Sequence, residues 1–464
     1  MSTTRDYKYI EHTISICPVC MQRIDGKIIE KDNSVYILKY CKEHGEFSSL
    51  LEERAAWFYN QKVYSKPGNK FINQTQLQKG CPYDCGLCPS HEQHTCIGLI
   101  EVTSSCDLNC PLCFAQSGKH NFLSYSEFNK MLDFFVNSEG GKADILQISG
   151  GEPTLHPQIL DFILLARSKN IDYVMLNTNG IRIAEDTDFV KELSKLKGGF
   201  EVYLQFDGFD DKVYQYFRGK PLSVIKKKAI ENLNAFNIPV TLVTTIENGI
   251  NDSELGKIIT YGLNTRCIRG INFQPVAYFG RLPENSFLTN GSGNIVPENR
   301  LTISSVIKKI QDQTSRMIRQ DDFIPLPCDS DRVAISYFFK EKNSSFVPLT
   351  RKIDLKKHLP FIKNTFKFDP DNILKEMASA IFSKECCGAG GFFTDLMKII
   401  PKGYLFWSEQ EKIDFVSNNT FRISITSFVD AYNFDIKSAQ KECVHFITSD
   451  LRKMPFSTFN IFHR

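Results

Sequence analysis

The sequence has no long apolar run and no strong excess of charge. No segment approaches the eighteen or more apolar residues of a membrane-spanning helix, and the opening MSTTRDYKYI lacks the apolar core of a secretory signal. The formal net charge is only +3, without a long basic run, which argues against a nucleic-acid partner or an anionic membrane surface. We therefore expect a cytoplasmic protein with no transmembrane segment and no bound nucleic acid.

The cysteines do not follow the pattern of a secreted disulfide framework, which is usually short and even in number. The chain has 464 residues and 15 cysteines, and ten of the cysteines lie between Cys17 and Cys113. A reducing cytosol keeps thiols free. Closely spaced cysteines in such a chain therefore indicate metal ligation.

Composition and periodicity divide the chain into four parts. Residues 1–66 hold short alternating runs typical of a small β-module, and residues 67–98 predict a loop around an auxiliary iron-sulfur cluster. In residues 99–283, strand-like runs alternate with amphipathic helical stretches, which predicts an α/β fold with a parallel sheet, either open or a partial barrel. Residues 284–464 predict a C-terminal α+β domain. The six strand-like runs are IGLIEVT, ADILQIS, DYVMLNT, FEVYLQF, VTLVTTI and GINFQPV.

The first ligand set is Cys17 and Cys20 followed by Cys41 and His44. Two ligand pairs on adjacent knuckles of a hairpin make a closed tetrahedral cage, which suits a structural metal. Zinc fits three thiolates and one imidazole, and a rubredoxin-like mononuclear iron fits as well. The alternative is a set of buried thiols with an incidental histidine.

The second set is Cys81, Cys85 and Cys88, with Cys96 eight residues further on. Three thiolates on one tight loop approach three irons of a cubane, and Cys96 is close enough in sequence to complete it. Four cysteine ligands describe a saturated [4Fe–4S] cluster, which passes electrons but offers no open iron. Zinc is the competing occupant, since it also prefers thiolates.

The third set is Cys106, Cys110 and Cys113, which directly follows IGLIEVT and precedes Phe114. Three cysteines hold a [4Fe–4S] cluster by three corners and leave one iron free. This CxxxCxxC string resembles the signature of the radical S-adenosylmethionine (radical SAM) superfamily. The resemblance implies a partial (β/α)6 TIM-like barrel, and S-adenosylmethionine cleaved by one electron to methionine and a 5′-deoxyadenosyl radical, with these three cysteines as catalytic ligands.

Polar residues at later strand ends extend this resemblance. Gly150, Gly151, Glu152 and Pro153 follow ADILQIS and resemble the GGEP segment that contacts the methionine amino group. The other candidate cofactor-binding residues stand at the next two strand ends, where parallel sheets bind ligands, and ordinary polar turns are the alternative. They are Asn177, Gln205 and Asp207. Thr245, Gln274 and Arg281 carry weaker likenesses further along.

Nearly the whole chain is similar to one subgroup, the class D radical SAM methylases together with the archaeal tetraether lipid synthases. The similarity includes SFVDAYNFD and CVHFITSD near the C-terminus. It implies that Cys328, Cys443 and either Cys386 or Cys387 hold a third cluster. The subgroup usually ends in an FCAYN-like string, whereas Ser457 stands here in place of its cysteine, and a hydroxyl is a poor iron ligand. Cys267 is interpreted as a buried structural thiol.

The resemblance implies an enzyme that abstracts hydrogen from an unactivated carbon of a lipid or a pterin-like molecule, and that ends in methylation or carbon–carbon coupling. A low-potential donor such as ferredoxin or flavodoxin is the expected electron source, and the clusters, S-adenosylmethionine and zinc or mononuclear iron are the expected cofactors. A peptide-modifying radical SAM maturase is the alternative enzyme. A non-catalytic electron carrier or a zinc-ribbon nucleic-acid binder is the alternative class, but an electron carrier needs no GGEP segment and a nucleic-acid binder normally shows a basic face.

Overall fold

The computed structural model covers most of the chain. The structure describes residues 5–283, 299–357, 359, 364–366 and 404–464, except for 69, 70, 116, 119, 120, 197, 342–344, 409, 410, 413, 414, 416 and 417. Cys386, Cys387 and the predicted helical stretch NILKEMASAIF lie outside the described residues.

The N-terminal part is an antiparallel sheet of consecutive hairpins, as the alternating pattern predicts. Its strands are β1 (Lys8–Ile16), β2 (Arg23–Lys31), β3 (Ser34–Cys41) and β4 (Gly45–Glu52). Asp32 and Asn33 both have positive φ, which is the geometry of the tight two-residue turn that joins twisted strands. Val35 and Ala55 are buried against Ile28, so the helix α1 (Ala55–Tyr64) packs on this sheet.

Six parallel strands form the central sheet, and each corresponds to one of the runs identified in the sequence. They are β5 (Ile97–Glu101), β6 (Ala143–Ser149), β7 (Ile171–Thr178), β8 (Phe200–Gln205), β9 (Val240–Ile246) and β10 (Ile268–Pro275). Each pairs in parallel with the next along the chain. The predicted partial (β/α)6 barrel is confirmed.

Helices connect these strands and cover the outer face of the sheet. They are α2 (Tyr125–Ser138), α3 (Ile159–Ser168), α4 (Ile181–Glu185), α5 (Thr187–Leu193), α6 (Asp211–Arg218), α7 (Ser223–Ala235) and α8 (Leu255–Asn264). The first of them begins with a capping box between Ser124 and Glu127. Its buried Phe128 stacks on Phe162 of α3, with the ring centroids 4.3 Å apart. Within the described part of the chain, every helix is too short or too polar to cross a lipid bilayer.

The C-terminal part extends the same sheet at both ends. The added strands are β11 (Ile324–Pro325), β12 (Val333–Lys340), β13 (Phe346–Pro348), β14 (Thr420–Thr426), β15 (Val444–Ile447) and β16 (Lys453–Pro455). β14 pairs in parallel with β10, whereas β15 pairs in parallel with β5. Among the described residues of this part, the α-helices are α9 (Ile303–Gln313), Ile436–Lys441 and Phe456–Phe462. The C-terminal α+β extension therefore borders both sides of the barrel opening.

Candidate functional site

The carboxyl ends of the barrel strands surround one cavity of about 300 Å³. Cys106, Cys110 and Cys113 lie along it together, which is the arrangement that the CxxxCxxC spacing predicts. The other predicted residues that line the cavity come from the ends of successive strands. They are Gly150, Gly151, Glu152, Asn177, Gln205, Thr245 and Gln274. Parallel sheets bind ligands at this edge.

The cysteine loop is held in place by backbone pairing and by a close contact with a glycine. Cys113 and Arg281 exchange backbone hydrogen bonds of 3.2 and 2.9 Å. A Cβ atom on Gly280 would lie 2.4 Å from the carbonyl oxygen of Cys113, so only glycine fits there. Burial raises the pKa of the Cys106 thiol to about 12. Burial acts in the same direction on the pKa of Cys113, but hydrogen bonding from Arg281 and from the backbone brings it below its usual value.

The two glycines of the GGEP segment allow two backbones to approach closely. The Gly151 N–H donates to the carbonyl oxygen of Thr103 at 2.7 Å, and the Glu152 N–H donates to that of Ser105 at 2.8 Å. A Cβ atom on Gly150 or Gly151 would lie 2.3 Å from one of these carbonyl oxygens. The segment is therefore attached directly to the residues that precede Cys106.

The Glu152 carboxylate is buried and already accepts four hydrogen bonds. The donors are the backbone N–H of Thr154 at 3.0 Å, its hydroxyl at 2.6 Å, the Thr178 hydroxyl at 2.7 Å and the Asn179 N–H at 2.7 Å. This carboxylate braces the ends of β6 and β7, which leaves the backbone of the segment as the part that can contact a ligand. Pro153 is buried and opens a short 3-10 turn.

Two amide side chains face the cavity from β7 and β8. Asn177 donates to the Gln147 side chain at 3.2 Å, but its own oxygen is buried without a partner among the described residues. Gln205 accepts from the Lys226 ammonium at 2.8 Å and donates to Asp207. Because a buried polar atom without a partner is costly, the Asn177 oxygen marks a place for a ligand donor.

Asp207 is fully buried and acts through a neighbouring arginine. Arg218, at the end of α6, makes two hydrogen bonds to its carboxylate at 2.8 and 2.9 Å. Asp207 does not line the cavity, whereas Arg218 does, close to Cys110. Burial alone would lower the pKa of Arg218, but the Asp207 carboxylate holds it well above its usual value. The sequence prediction of Asp207 as a direct contact therefore differs from the structure, which presents a cation there.

The N-terminal ligand set comes together as predicted. Cys17, Cys20, Cys41 and His44 have their ligand atoms within 4.8 Å of one another. The His44 Nδ1 atom lies 3.7 Å from the Cys17 sulfur and 3.5 Å from the Cys41 sulfur, and the Cys20 and Cys41 sulfurs are 3.9 Å apart. A tetrahedral zinc with bonds of about 2.3 Å to sulfur and about 2.0 Å to nitrogen requires separations of about 3.5–3.8 Å. The geometry fits one metal ion, and hydrogen bonding from His44 lowers the pKa of Cys41 to about 6.

Cys96 lies in a different thiol group from the one that its spacing indicates. Cys81, Cys85 and Cys88 line a small cavity together, but Cys96 is not part of its wall. Its ligand atom instead lies within 4.8 Å of those of Cys328 and Cys443, and all three residues are fully buried. The reason is that Cys96 directly precedes β5, and its N–H donates to the Cys443 carbonyl at 2.9 Å where β15 joins the sheet.

The sequence is similar to known proteins, in one case over nearly its whole length. The family model of the radical SAM superfamily matches residues 100–261, and that of the HMPTM N-terminal zinc ribbon domain matches residues 9–53. The 7,8-dihydro-6-hydroxymethylpterin dimethyltransferase of Methanocaldococcus jannaschii is 35% identical over 97% of this chain and 94% of that protein. The chain belongs to the radical SAM superfamily. A GTP 3′,8-cyclase of Thermodesulfovibrio yellowstonii is 30% identical over 38% of this chain and 56% of that one.

The solved structures that the chain matches are only distantly similar to it. SuiB of Streptococcus suis bound to S-adenosylmethionine is 17% identical over 41% of this chain and 43% of that chain, with a TM-score of 0.35. A radical SAM methyltransferase from Sphaerobacter thermophilus is 10% identical over 68% of this chain and 76% of that chain, with a TM-score of 0.33. The family assignment therefore rests on the sequence relatives.

As a radical SAM enzyme, the chain uses a [4Fe–4S] cluster and S-adenosylmethionine, and the residues of the main cavity fit both. Three cysteines offer three cluster ligands and leave one iron for the methionine end of S-adenosylmethionine. Arg218 supplies a cation for a carboxylate, and the unpaired Asn177 oxygen can accept from a hydroxyl or an amine.

Two basic residues near the cavity were not identified by the sequence analysis. Arg218 and Lys226 lie on helices, where a basic residue is ordinarily solvent-exposed, yet Lys226 is fully buried and burial lowers its pKa to about 7. Lys226 donates to the Asn179 carbonyl as well as to Gln205. The one feature of the sequence that points to them is Asp207 directly after β8, because a carboxylate buried at a strand end needs a cationic partner.

Proposed function

We propose that this protein is a radical SAM methyltransferase that methylates a ring carbon of a pterin-like molecule. The observation that carries the proposal is the 35% identity with a pterin dimethyltransferase along nearly the whole of both chains. The relative's name supplies the substrate class, and the cavity of this chain supports it.

The cavity wall formed by β8, β10 and β14 carries amide and hydroxyl groups among apolar side chains. Asn272 donates to the Tyr203 hydroxyl at 2.5 Å and accepts from Ser424 and Thr426 at 3.0 Å. Gln274 lies 3.5 Å from the same Tyr203 hydroxyl. A few convergent polar groups in an apolar pocket suit a flat heterocycle with several donors and acceptors. This composition favours a pterin over the lipid chain that the sequence also allows, since a lipid needs no such partners.

The chain's own residues orient the reactants. A [4Fe–4S] cluster that binds S-adenosylmethionine supplies one-electron cleavage of the sulfonium and the 5′-deoxyadenosyl radical. Cys106, Cys110 and Cys113 would hold that cluster. Arg218, fixed by Asp207, would pair with the methionine carboxylate, and the backbone of the GGEP segment would contact the amino group. Asn177 and Gln205 would contact the ribose.

We also propose the metal inventory and the setting of the enzyme. Zinc suits the closed N-terminal cage. An auxiliary electron-transfer cluster suits Cys81, Cys85 and Cys88. A third cluster suits Cys96, Cys328 and Cys443 together with Cys386 or Cys387. Sulfonium reduction needs the low end of cluster potentials, roughly −700 mV to +450 mV, so ferredoxin or flavodoxin is the proposed donor. All 13 cysteines that the structure describes are free thiols, which supports the cytoplasm. We keep the four-part division of the chain, with the strands of residues 284–464 joined to the barrel sheet.

The test is single-turnover chemistry under anaerobic conditions. Reconstituted and reduced protein, supplied with S-adenosylmethionine, a dihydropterin and a methylene-carrying folate or methanopterin as carbon donor, should release 5′-deoxyadenosine and add methyl groups to the dihydropterin. Both products are detected by mass spectrometry. Cys110→Ala should abolish both products, whereas Cys267→Ala, which removes a thiol buried in the core, should retain them. Turnover in the Cys110→Ala protein, or methylation of a peptide but no pterin, would count against the proposal.

A further inference from the structure

The loop that carries Cys81, Cys85 and Cys88 leaves one ligand position to be filled. These three side chains line a small cavity, and the other lining residues with ligand-type side chains are Asp84, His91 and Thr458. Asp84 already accepts the backbone N–H groups of residues 78–80 at 2.6–2.7 Å. Cys96 is in the separate group with Cys328 and Cys443.

His91 stands at ligand spacing on the same loop. The backbone N–H of His91 donates to the Cys88 carbonyl at 2.9 Å. The spacing Cys88-x-x-His91 repeats the spacing between Cys85 and Cys88. The His91 side chain is buried at the cavity wall. A tight turn therefore places this ring in the wall of the same small cavity as the three thiols.

The hydrogen bonding of His91 leaves the nitrogen that a metal needs. The Nε2 atom lies 3.0 Å from the carbonyl oxygen of Glu442, a group that only accepts, so Nε2 carries the hydrogen. The His445 Nε2 atom lies 2.9 Å from the same oxygen and 3.1 Å from the His91 Nε2 atom. Because a nitrogen without hydrogen at either position would face the carbonyl oxygen with its lone pair, both rings donate to that oxygen. In the neutral ring, Nδ1 then keeps its lone pair, and it has no hydrogen-bond partner among the described residues. Metal-ligating histidines commonly donate their other N–H to a backbone carbonyl in this way.

Thr458 is the weaker candidate. Its hydroxyl donates to the Pro455 carbonyl at 3.1 Å and interacts with the Cys85 thiol. An alcohol is also a poorer iron ligand than imidazole. Its position suits a hydrogen bond to a cluster thiolate.

We propose that His91 is the fourth protein ligand of the auxiliary [4Fe–4S] cluster held by Cys81, Cys85 and Cys88. The inference rests on the auxiliary cluster of the proposed function but not on methyl transfer. A neutral imidazole in place of a thiolate makes the cluster less negative, and its reduction potential is then higher than with four cysteines.

The experiment uses the full-length chain with Cys106, Cys110 and Cys113 changed to alanine, so that the cluster for S-adenosylmethionine is removed. In this background, pulsed electron paramagnetic resonance of the reduced protein should show strong nitrogen coupling, and ¹⁵N-histidine labelling should change it. His91→Cys should keep the iron content, abolish the coupling and lower the midpoint potential. His94→Gln is the matched control, because His94 is buried on the same segment and contacts Cys96 instead; it should keep the coupling.

Three results would overturn the inference. They are nitrogen coupling that persists in His91→Cys, coupling that disappears in His94→Gln, and coupling that disappears in Cys96→Ala. The readout is spectroscopic and needs no S-adenosylmethionine. The ligand assignment of His91 can therefore be tested even if the methyltransferase proposal fails.

Discussion

Replacing Gly151 by alanine should disable the enzyme through a single steric contact. The added Cβ would lie 2.3 Å from the Ser105 carbonyl oxygen and 2.8 Å from that of Ser104. Gly151 does not have positive φ, so alanine can adopt its backbone conformation. The perturbation is therefore confined to the spacing between the GGEP segment and the residues that precede Cys106.

The size of the effect follows from the distance. Carbon–oxygen contacts in proteins are about 3.3–3.6 Å, so the two backbones must separate by about 1 Å. Overpacking of this kind costs about 1–3 kcal/mol of stability. A displacement of about 1 Å at a catalytic group can cost about 100-fold in rate. We expect a loss of about that size in 5′-deoxyadenosine formation, because Ser105 adjoins the first cluster ligand.

The assay is the rate of 5′-deoxyadenosine release per cluster, with iron content and melting temperature measured on the same preparation. Gly140→Ala is the control: Gly140 has φ of +72°, and its Cβ would contact nothing within 4 Å. A left-handed alanine costs about 1–2 kcal/mol, which matches the stability loss at Gly151 without touching the site. Equal rates in Gly151→Ala and Gly140→Ala would refute the reasoning.

Three further outcomes are expected. Arg218→Lys keeps the charge but cannot reproduce both hydrogen bonds to Asp207. The KM for S-adenosylmethionine should therefore rise about tenfold, with a smaller change in kcat. An unchanged KM would exclude a contact between Arg218 and the methionine carboxylate. Cys17→Ala should lose zinc, measured by elemental analysis, and should melt about 1 °C lower for each kcal/mol lost in a chain of this length. A chelator should lower the melting temperature of the wild-type protein but not that of the variant. Burial raises the pKa of Glu52 from 4.5 to about 6, so the folded state binds this proton more tightly than the unfolded state does. The free energy of unfolding of the wild-type protein should therefore fall by about 2 kcal/mol as the pH rises from below 4.5 to above 6. Urea unfolding of Glu52→Gln should lack this pH-dependent loss.

The barrel strands could be predicted from the sequence because each is a short apolar run followed by polar or glycine residues. Buried parallel strands require apolar side chains on both faces, which makes such runs visible without an alignment. The grouping of Cys106, Cys110 and Cys113 at one cavity could equally be predicted, because they are close in sequence and lie on one loop. The N-terminal group that contains Cys17 and His44 could be predicted for the same reason, because its members form two closely spaced pairs in the sequence.

The remaining features depend on contacts between distant segments. Cys96 was assigned to the nearest cysteines in sequence, but the pairing of β15 with β5 brings Cys443 beside it. Arg218 could not be placed from its helix, since only the three-dimensional path of α6 shows that it reaches the buried Asp207. The spacing of His91 from Cys88 becomes informative only once Cys96 is known to lie elsewhere.

The hydrogen bond between the Cys96 N–H and the Cys443 carbonyl joins segments that leave the ribosome at very different times. At about 5–20 residues per second, the roughly 350 residues between them take about 20–70 s to synthesise. Throughout that interval the early thiols are exposed on a nascent chain whose barrel lacks its bordering strand. A cluster proposed on this thiol group would therefore form only after Cys443 has been synthesised, and a product terminated before that residue would lack part of the proposed ligand set.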